Sequence, residues 1–164
     1  MPHRKSDPKQ QFEAVDDLLT RWLKERRKVL GTYTEIAVVL DSNPQSKLLA
    51  QQHNSLCELM VDYVSAGHFE VFNQLLNEAE TFADGSEALA EQLIPAIGDT
   101  TEVILAYEEK YAGGQLYPDT LKRDLSSLGE VLESRFVLED RLIAGLHNRH
   151  RRQASSPAQH QTTG

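Results

Sequence analysis

Residues 12–40 read FEAVDDLLTRWLKERRKVLGTYTEIAVVL. Phe12, Val15, Leu19, Trp22, Arg26, Val29, Tyr33, Ile36 and Leu40 follow one another at alternating steps of three and four. An α-helix carries residues so spaced on one face, so the stretch predicts a single long helix with its seam turned toward neighbours. Only Arg26 interrupts the apolar run. Asp7 followed by Pro8 suits the start of such a helix. The carboxylate accepts from unpaired N–H groups, and proline at the first helical position has no N–H to leave unpaired. Asp41-Ser42-Asn43-Pro44 closes this helix and opens the next.

Outward from it, Leu49, Gln52, Leu56, Leu59 and Tyr63 repeat the spacing, followed by Phe69, Phe72, Leu75 or Leu76, Ala79 and Phe82. Ser65-Ala66-Gly67 lies between the two runs, and glycine weakens a helix interior by about 1 kcal/mol relative to alanine, which predicts a kink or brief break near Gly67. Ser86 is the expected cap of a third helix, with the seam Leu89, Leu93, Ile97, Thr100, Ile104, Tyr107 and Tyr111, a bend at Pro95 and a stop at Gly113-Gly114. Asp119 is the expected cap of a fourth, with Leu121, Leu125, Leu128, Leu132, Arg135, Glu139, Leu142 and Leu146 along its seam. No segment alternates as a strand does. Long amphipathic helices with short connections predict an all-α fold, an antiparallel four-helix bundle with kinked helices.

The 164 residues suit one domain. Residues 1–11 read as a flexible N-terminal arm, 12–147 as a single helical-bundle domain, and 148–164 as a disordered tail, since Arg149-His150-Arg151-Arg152 and the Ser, Pro, Gln and Thr beyond supply little apolar surface. No apolar run approaches the length of a membrane span, and the charged, polar N-terminus has no h-region, so the expected location is the cytoplasm. The single Cys57 excludes an internal disulfide.

Charge is unevenly distributed. Residues 48–109 hold twelve Asp and Glu and no Lys or Arg, giving −12 where the whole chain carries −8 and leaving +4 for the remainder. So large an acidic field repels nucleic acid and attracts basic surfaces, which predicts a binding module for a basic protein domain, with no direct nucleic-acid or membrane partner.

Arg26, Arg135 and Glu139 occupy seam positions where leucine is expected, and the last two stack one turn apart. They form either an internal ion network or a polar cavity that receives a partner's side chain, because buried ions cost several kcal/mol each unless paired. Metal and catalytic readings are weaker. Di-iron bundles use Glu-x-x-His pairs, which do not occur here; His53, Cys57 and His68 are scattered, and acids around Cys57 would blunt a thiolate. No cofactor, metal or catalytic residue is expected. The competing interpretation is a histidine phosphotransfer or metal-binding four-helix bundle, with His68 as the phosphate acceptor, although Glu70 beside it would repel phosphate.

The segment 59–70, LMVDYVSAGHFE, interleaves acids, small residues and aromatics. As a docking site, its Ser-Ala-Gly notch admits a close approach, Phe69 is an apolar anchor and Asp62 a carboxylate for Arg or Lys. The same segment carries a family resemblance. VDYVSAGHF at 61–69, RWL at 21–23 and ESRFVLED at 133–140 together resemble the Rsd/AlgQ family of regulators of sigma D, covering most of residues 12–147. The N-terminal arm, the 41–47 connection, the loop around Gly113 and the Arg-rich tail depart from it.

The resemblance implies a non-enzymatic anti-sigma factor of a Gram-negative bacterium. Such proteins bind the C-terminal, helix-turn-helix domain of the primary housekeeping sigma factor, which reads the −35 promoter element, and keep it from RNA polymerase and promoter DNA. The expected complex is one-to-one with a monomer. Carried onto this chain, the motif implies Asp62 as an ion-pair partner for a sigma Arg, Ser65 and Phe69 on the same helical face, Glu58 and His68 at the rim, and Trp22 in the core or cavity wall with Arg26, Arg135 and Glu139.

Overall fold

The computed structural model describes residues 7–155. Four rods compose it: α1 (Pro8–Ser42); α2 (Leu49–Ala66), continued through a π-helical turn at Gly67–Val71 into α3 (Phe72–Phe82); α4 (Glu87–Tyr111); and α5 (Pro118–Ile143), continued through a second π turn at Ala144–Asn148 into α6 (Arg149–Ser155). The architecture is the expected all-α four-helix bundle, and no strand occurs among the described residues. Val29 and Ile36 of α1, Leu56 and Met60 of α2, Leu75 of α3, Ile97 and Ile104 of α4, and Leu128 and Leu142 of α5 are sealed in its core. α1 packs closely on α2, and α4 on α5, whereas α1 and α5 touch sparingly and α2 meets α4 along a looser seam. The two loose seams therefore lie on opposite sides of the bundle.

Several boundaries differ from the sequence expectation. Pro8 opens α1 with the Asp7 carboxylate accepting from the Lys9 N–H at 3.2 Å, so residues 8–11 belong to the helix and not to an arm. The Thr120 and Leu121 N–H groups both donate to the Tyr117 carbonyl, so α5 starts at Pro118 and Asp119 lies in its first turn instead of capping it. Gly67 does not break the helix; one added residue in the turn widens it. Along α2 the buried positions are His53, Cys57, Met60 and Val64 as well as Leu49, Leu56 and Tyr63, while Gln52 and Leu59 are half-buried. Residues 1–6 of the expected arm and 156–164 of the expected tail lie outside the described residues.

The tail boundary at 148 also needs correction, for the chain stays helical to residue 155. What holds it is a buried carboxylate. Glu78 of α3, fully enclosed, accepts from His147 Nδ1 at 2.9 Å and from His150 Nδ1 at 2.6 Å. The second nitrogen of His147 lies 2.8 Å from Asp16 of α1, and that of His150 lies 3.1 Å from the Ser86 hydroxyl and 3.2 Å from Asp84. Ser86 thus spends its side chain on α6 and makes no capping bond to α4. Each imidazole also stacks on a ring, His147 on Phe12 at 4.1 Å and His150 on Phe82 at 4.5 Å. Residues read as polar and solvated are therefore paired and packed.

Burial pushes the Glu78 carboxyl up, but the hydrogen bonds and charges of His147 and His150 outweigh burial and hold it below its ordinary range. The hydrogen bond from His147 likewise lowers Asp16. A carboxylate so depressed contributes stability above its unfolded-state value of roughly pH 4, and the contribution disappears as pH falls through the folded value. Glu78→Gln is expected to lower the unfolding free energy by about 3 kcal/mol near neutral pH, and the gap from the wild type should narrow on acidification below roughly pH 4. Urea titrations at both ends of that range check it; a gap independent of pH would mean that Glu78 is not held ionised.

Candidate functional site

The α2–α4 seam takes its shape from the π turn. Trp22 of α1 lies flat on Tyr63 at 4.8 Å, donates its indole N–H to the Tyr63 carbonyl at 3.1 Å, and meets Phe72 edge-on at 5.9 Å. Gly67 sits directly against this indole. A Cβ there would lie 3.0 Å from Trp22 Cζ2, tight enough that the indole would have to give by a few tenths of an ångström. The turn closes with the Phe72 N–H donating to the Gly67 carbonyl, one residue wider than an α-turn, and it pushes His68, Phe69 and Glu70 outward. Phe69 is 74% exposed, the most exposed large apolar side chain of the described residues.

Beneath Phe69 lies a cleft of about 460 Å³. Val64, Ser65 and His68 form one wall, and Pro95, Gly98 and Leu105 of α4 form the other, with Asp99 and Glu102 at its edge. Farther along the same seam a second cleft, of about 470 Å³, brings Glu58 and Asp62 together with Glu108. All five residues expected to bind a partner therefore line one side of the bundle. They do so in two adjoining clefts, not on one strip: Ser65, His68 and Phe69 share the first, Asp62 and Glu58 the second. The α4 contribution was missed by the sequence, because period identifies which residues share a helix face but not which helix lies opposite. The acidic, Lys- and Arg-free window was its only signal.

Electrostatically the seam is uncompensated. Asp62, Asp99 and Glu102 enter no ion pair among the described residues. Glu58 accepts only a 3.3 Å bond from the neutral Asn54 amide. An apolar anchor in a field of free carboxylates suits a partner surface of Arg, Lys and apolar side chains.

The seam charges meet at the centre of the bundle. Arg135 donates Nε–H to Glu139 at 2.8 Å, while its Nη1 reaches the Thr101 hydroxyl at 2.6 Å and the Thr100 hydroxyl at 3.1 Å. The Tyr63 hydroxyl donates to the other oxygen of Glu139, and Arg26 lies 3.4 Å from that oxygen and 2.8 Å from Asp140. Arg135 and Glu139 are fully enclosed and only Arg26 reaches the surface, so these residues form an internal ion network. Burial pushes the Glu139 carboxyl up against the pull of Arg135, Tyr63 and Arg26, and burial with the Glu139 charge drives the Tyr63 phenol upward too. Trp22, stacked on Tyr63, belongs to the core wall behind this network.

Of the remaining candidates, Cys57 lines the second cleft and His53 lies beside it. His53 is buried against Tyr107 at 2.5 Å and Tyr111, and burial lowers its pKa. Burial, then the charges of Glu108 and Glu58, pushes the Cys57 thiol up to about 11, which leaves it protonated and unreactive at neutral pH. Among the described residues no group of three or more His, Cys, Asp or Glu side chains is arranged to hold a metal ion. No helix among them is long and apolar enough to cross a membrane.

The model of a family described as "Regulator of RNA polymerase sigma(70) subunit, Rsd/AlgQ" matches residues 1–147. The protein named Regulator of sigma D of Yersinia pseudotuberculosis serotype O:1b (strain IP 31758) is 30% identical over 138 residues, covering 82% of this chain and 82% of its own. Regulator of sigma D of Yersinia enterocolitica serotype O:8 / biotype 1B is 29% identical, with 82% of this chain and 83% of that protein covered. Regulator of sigma D of Pectobacterium atrosepticum is 30% identical, with 80% of this chain and 88% of that protein covered.

The central network predicts an asymmetric response to mutation. Arg135→Met leaves Glu139 enclosed with fewer donors and should destabilise the fold by about 3–5 kcal/mol in urea unfolding. The double variant Arg135→Met with Glu139→Leu removes the orphaned charge and should be more stable than the single one. A double variant less stable than Arg135→Met would show that Glu139 is satisfied without Arg135.

Proposed function

The chain belongs to the Rsd/AlgQ family, and from that premise we propose that it is an anti-sigma factor acting on the primary housekeeping sigma factor. It binds the C-terminal, −35-reading helix-turn-helix domain of that factor and withholds it from RNA polymerase and promoter DNA. The work is done by occlusion in a one-to-one complex in the cytoplasm, without bond-making chemistry. A helix-turn-helix domain carries Arg and Lys to meet phosphates. An acidic surface competes for those same cations.

The observation that carries this reading is the exposed Phe69 set among unpaired carboxylates along the α2–α4 seam. Phe69 supplies the desolvated anchor, and the cleft beneath Ser65 accepts an apolar side chain of the sigma domain. Asp62, one cleft away, pairs with a sigma Arg. Glu58 and His68 complete the rim. The π turn presents Phe69 to solvent in the unbound chain, so the backbone need not rearrange to offer it to the partner.

Calorimetric titration with the C-terminal domain of the host's primary sigma factor, at low and at raised salt, tests the proposal. Saturable one-to-one binding that weakens with salt is expected, and Asp62→Ala and Phe69→Ala should each weaken it roughly 10- to 100-fold. Absence of binding at low salt would overturn the function. Wild-type affinity in both variants would overturn the site alone.

A further inference from the structure

The opposite side of the bundle carries a second groove that the sigma-binding proposal leaves unused. α1 and α5 diverge, and between them lie two clefts of about 510 and 530 Å³ that adjoin at Tyr33 and Ser126, end to end along one trough. Leu132, Phe136 and Leu125 supply its apolar floor from α5, and Ala37 and Leu40 from α1. Its lips are apolar as well: Leu30, Val38 and Val137 are 48%, 58% and 54% exposed. Tyr33 lies across the trough and donates its hydroxyl to the Leu125 carbonyl at 2.8 Å. Its ring rests on Gly129, where any Cβ would collide with it.

From this we propose that the α1–α5 groove is a second protein-docking site, shaped for a basic amphipathic helix of a partner. Three observations select that occupant. The walls are helices whose backbone groups are already paired, so an occupant must satisfy its own backbone, as a helix does. The lip runs from Ser126 to Asp140, roughly 20 Å at 1.5 Å per residue, or about four helical turns of the occupant. The uncompensated charge along it has one sign: Asp140 is paired with Arg26 at 2.8 Å and Asp41 with Lys122 at 3.6 Å, while Glu130 and Glu133 enter no ion pair among the described residues. Two free carboxylates beside an apolar floor favour Lys and Arg flanking an apolar stripe. They repel nucleic acid and anionic lipid.

The site is separate from the α2–α4 seam, which allows a test by face. A fluorescent helical peptide of about four turns, with Leu at alternating third and fourth positions and Lys on both flanks, is titrated into the full chain and followed by anisotropy. Saturable binding is expected; Val137→Asp, or Glu130→Lys with Glu133→Lys, should weaken it about tenfold or more, whereas Asp62→Ala and Phe69→Ala leave it unchanged. The charge-reversed peptide, with Glu for Lys, should bind only the Glu130→Lys, Glu133→Lys variant. All these positions are exposed, and circular dichroism confirms that each variant keeps its fold. No saturable binding, or binding lost in Asp62→Ala and retained in Val137→Asp, overturns the proposal. Sedimentation of the wild type as a dimer that Val137→Asp dissolves also overturns it, since a second copy would then fill the groove.

Discussion

Glu139 is met by donors from three rods: Arg26 of α1, Tyr63 of α2 and Arg135 of α5. Arg135 extends the connection to α4 through Thr100 and Thr101. An enclosed carboxylate tolerates no missing partner, because desolvation of the ion outweighs any single hydrogen bond. The four rods are therefore held in one register at this level, more strictly than apolar packing alone would hold them. Both outer seams depend on it. Val64 and Ser65 follow Tyr63 into the α2–α4 cleft, and Glu102 follows Thr101 there. Phe136, beside Arg135, and Asp140, beside Glu139, line the α1–α5 groove on the other side. Residues that line the two outer seams are thus immediate chain neighbours of residues that fix the core.

The same arrangement explains where the chain places its cations. Arg135 is consumed inside the bundle, and Arg26 is divided between Glu139 and Asp140. At the far end Arg149 pairs with Asp84 and Arg151 with Asp16. Of the twelve acids in residues 48–109, only Glu78 is buried, and only Glu78 and Asp84 are paired with the His and Arg of the C-terminal segment. The rest remain on the surface, and Lys110, beside Glu109, is the one Lys or Arg in α2, α3 or α4. The acidic face follows from a stretch of sequence without Lys or Arg, of whose acids the C-terminal His and Arg pair with Glu78 and Asp84 alone.

The rods were legible because the three-four spacing needs only local sequence. Arg26, Arg135 and Glu139 were legible as anomalies for the same reason, since a charge in an apolar seam stands out before its partner is known. What failed were pairings that period does not encode. Glu78 sits in the three-four register of Leu75, Ala79 and Phe82, yet nothing local ties it to His147 and His150, some seventy residues away. Read alone, Arg149-His150-Arg151-Arg152 looks like a solvated tail. His150 is instead enclosed, because stacking on Phe82 and a bond to Glu78 turn a polar side chain into a core residue. The π turn escaped for a related reason. Glycine in a helix signals weakness from sequence alone, whereas here Gly67 marks a close approach to Trp22.

The two buried polar centres also differ in kind. At mid-bundle the cations are arginines, whose planar, forked guanidinium groups meet Glu139. At the far end the donors are imidazoles facing Glu78, Asp16 and Asp84. Phe69 and the carboxylates around it are presented by the arginine-held level. The segment from Ala144 to Ser155 is docked by the histidine-held one. The α2–α4 face and the C-terminal segment are thus anchored by separate polar centres, one built on Glu139 and the other on Glu78.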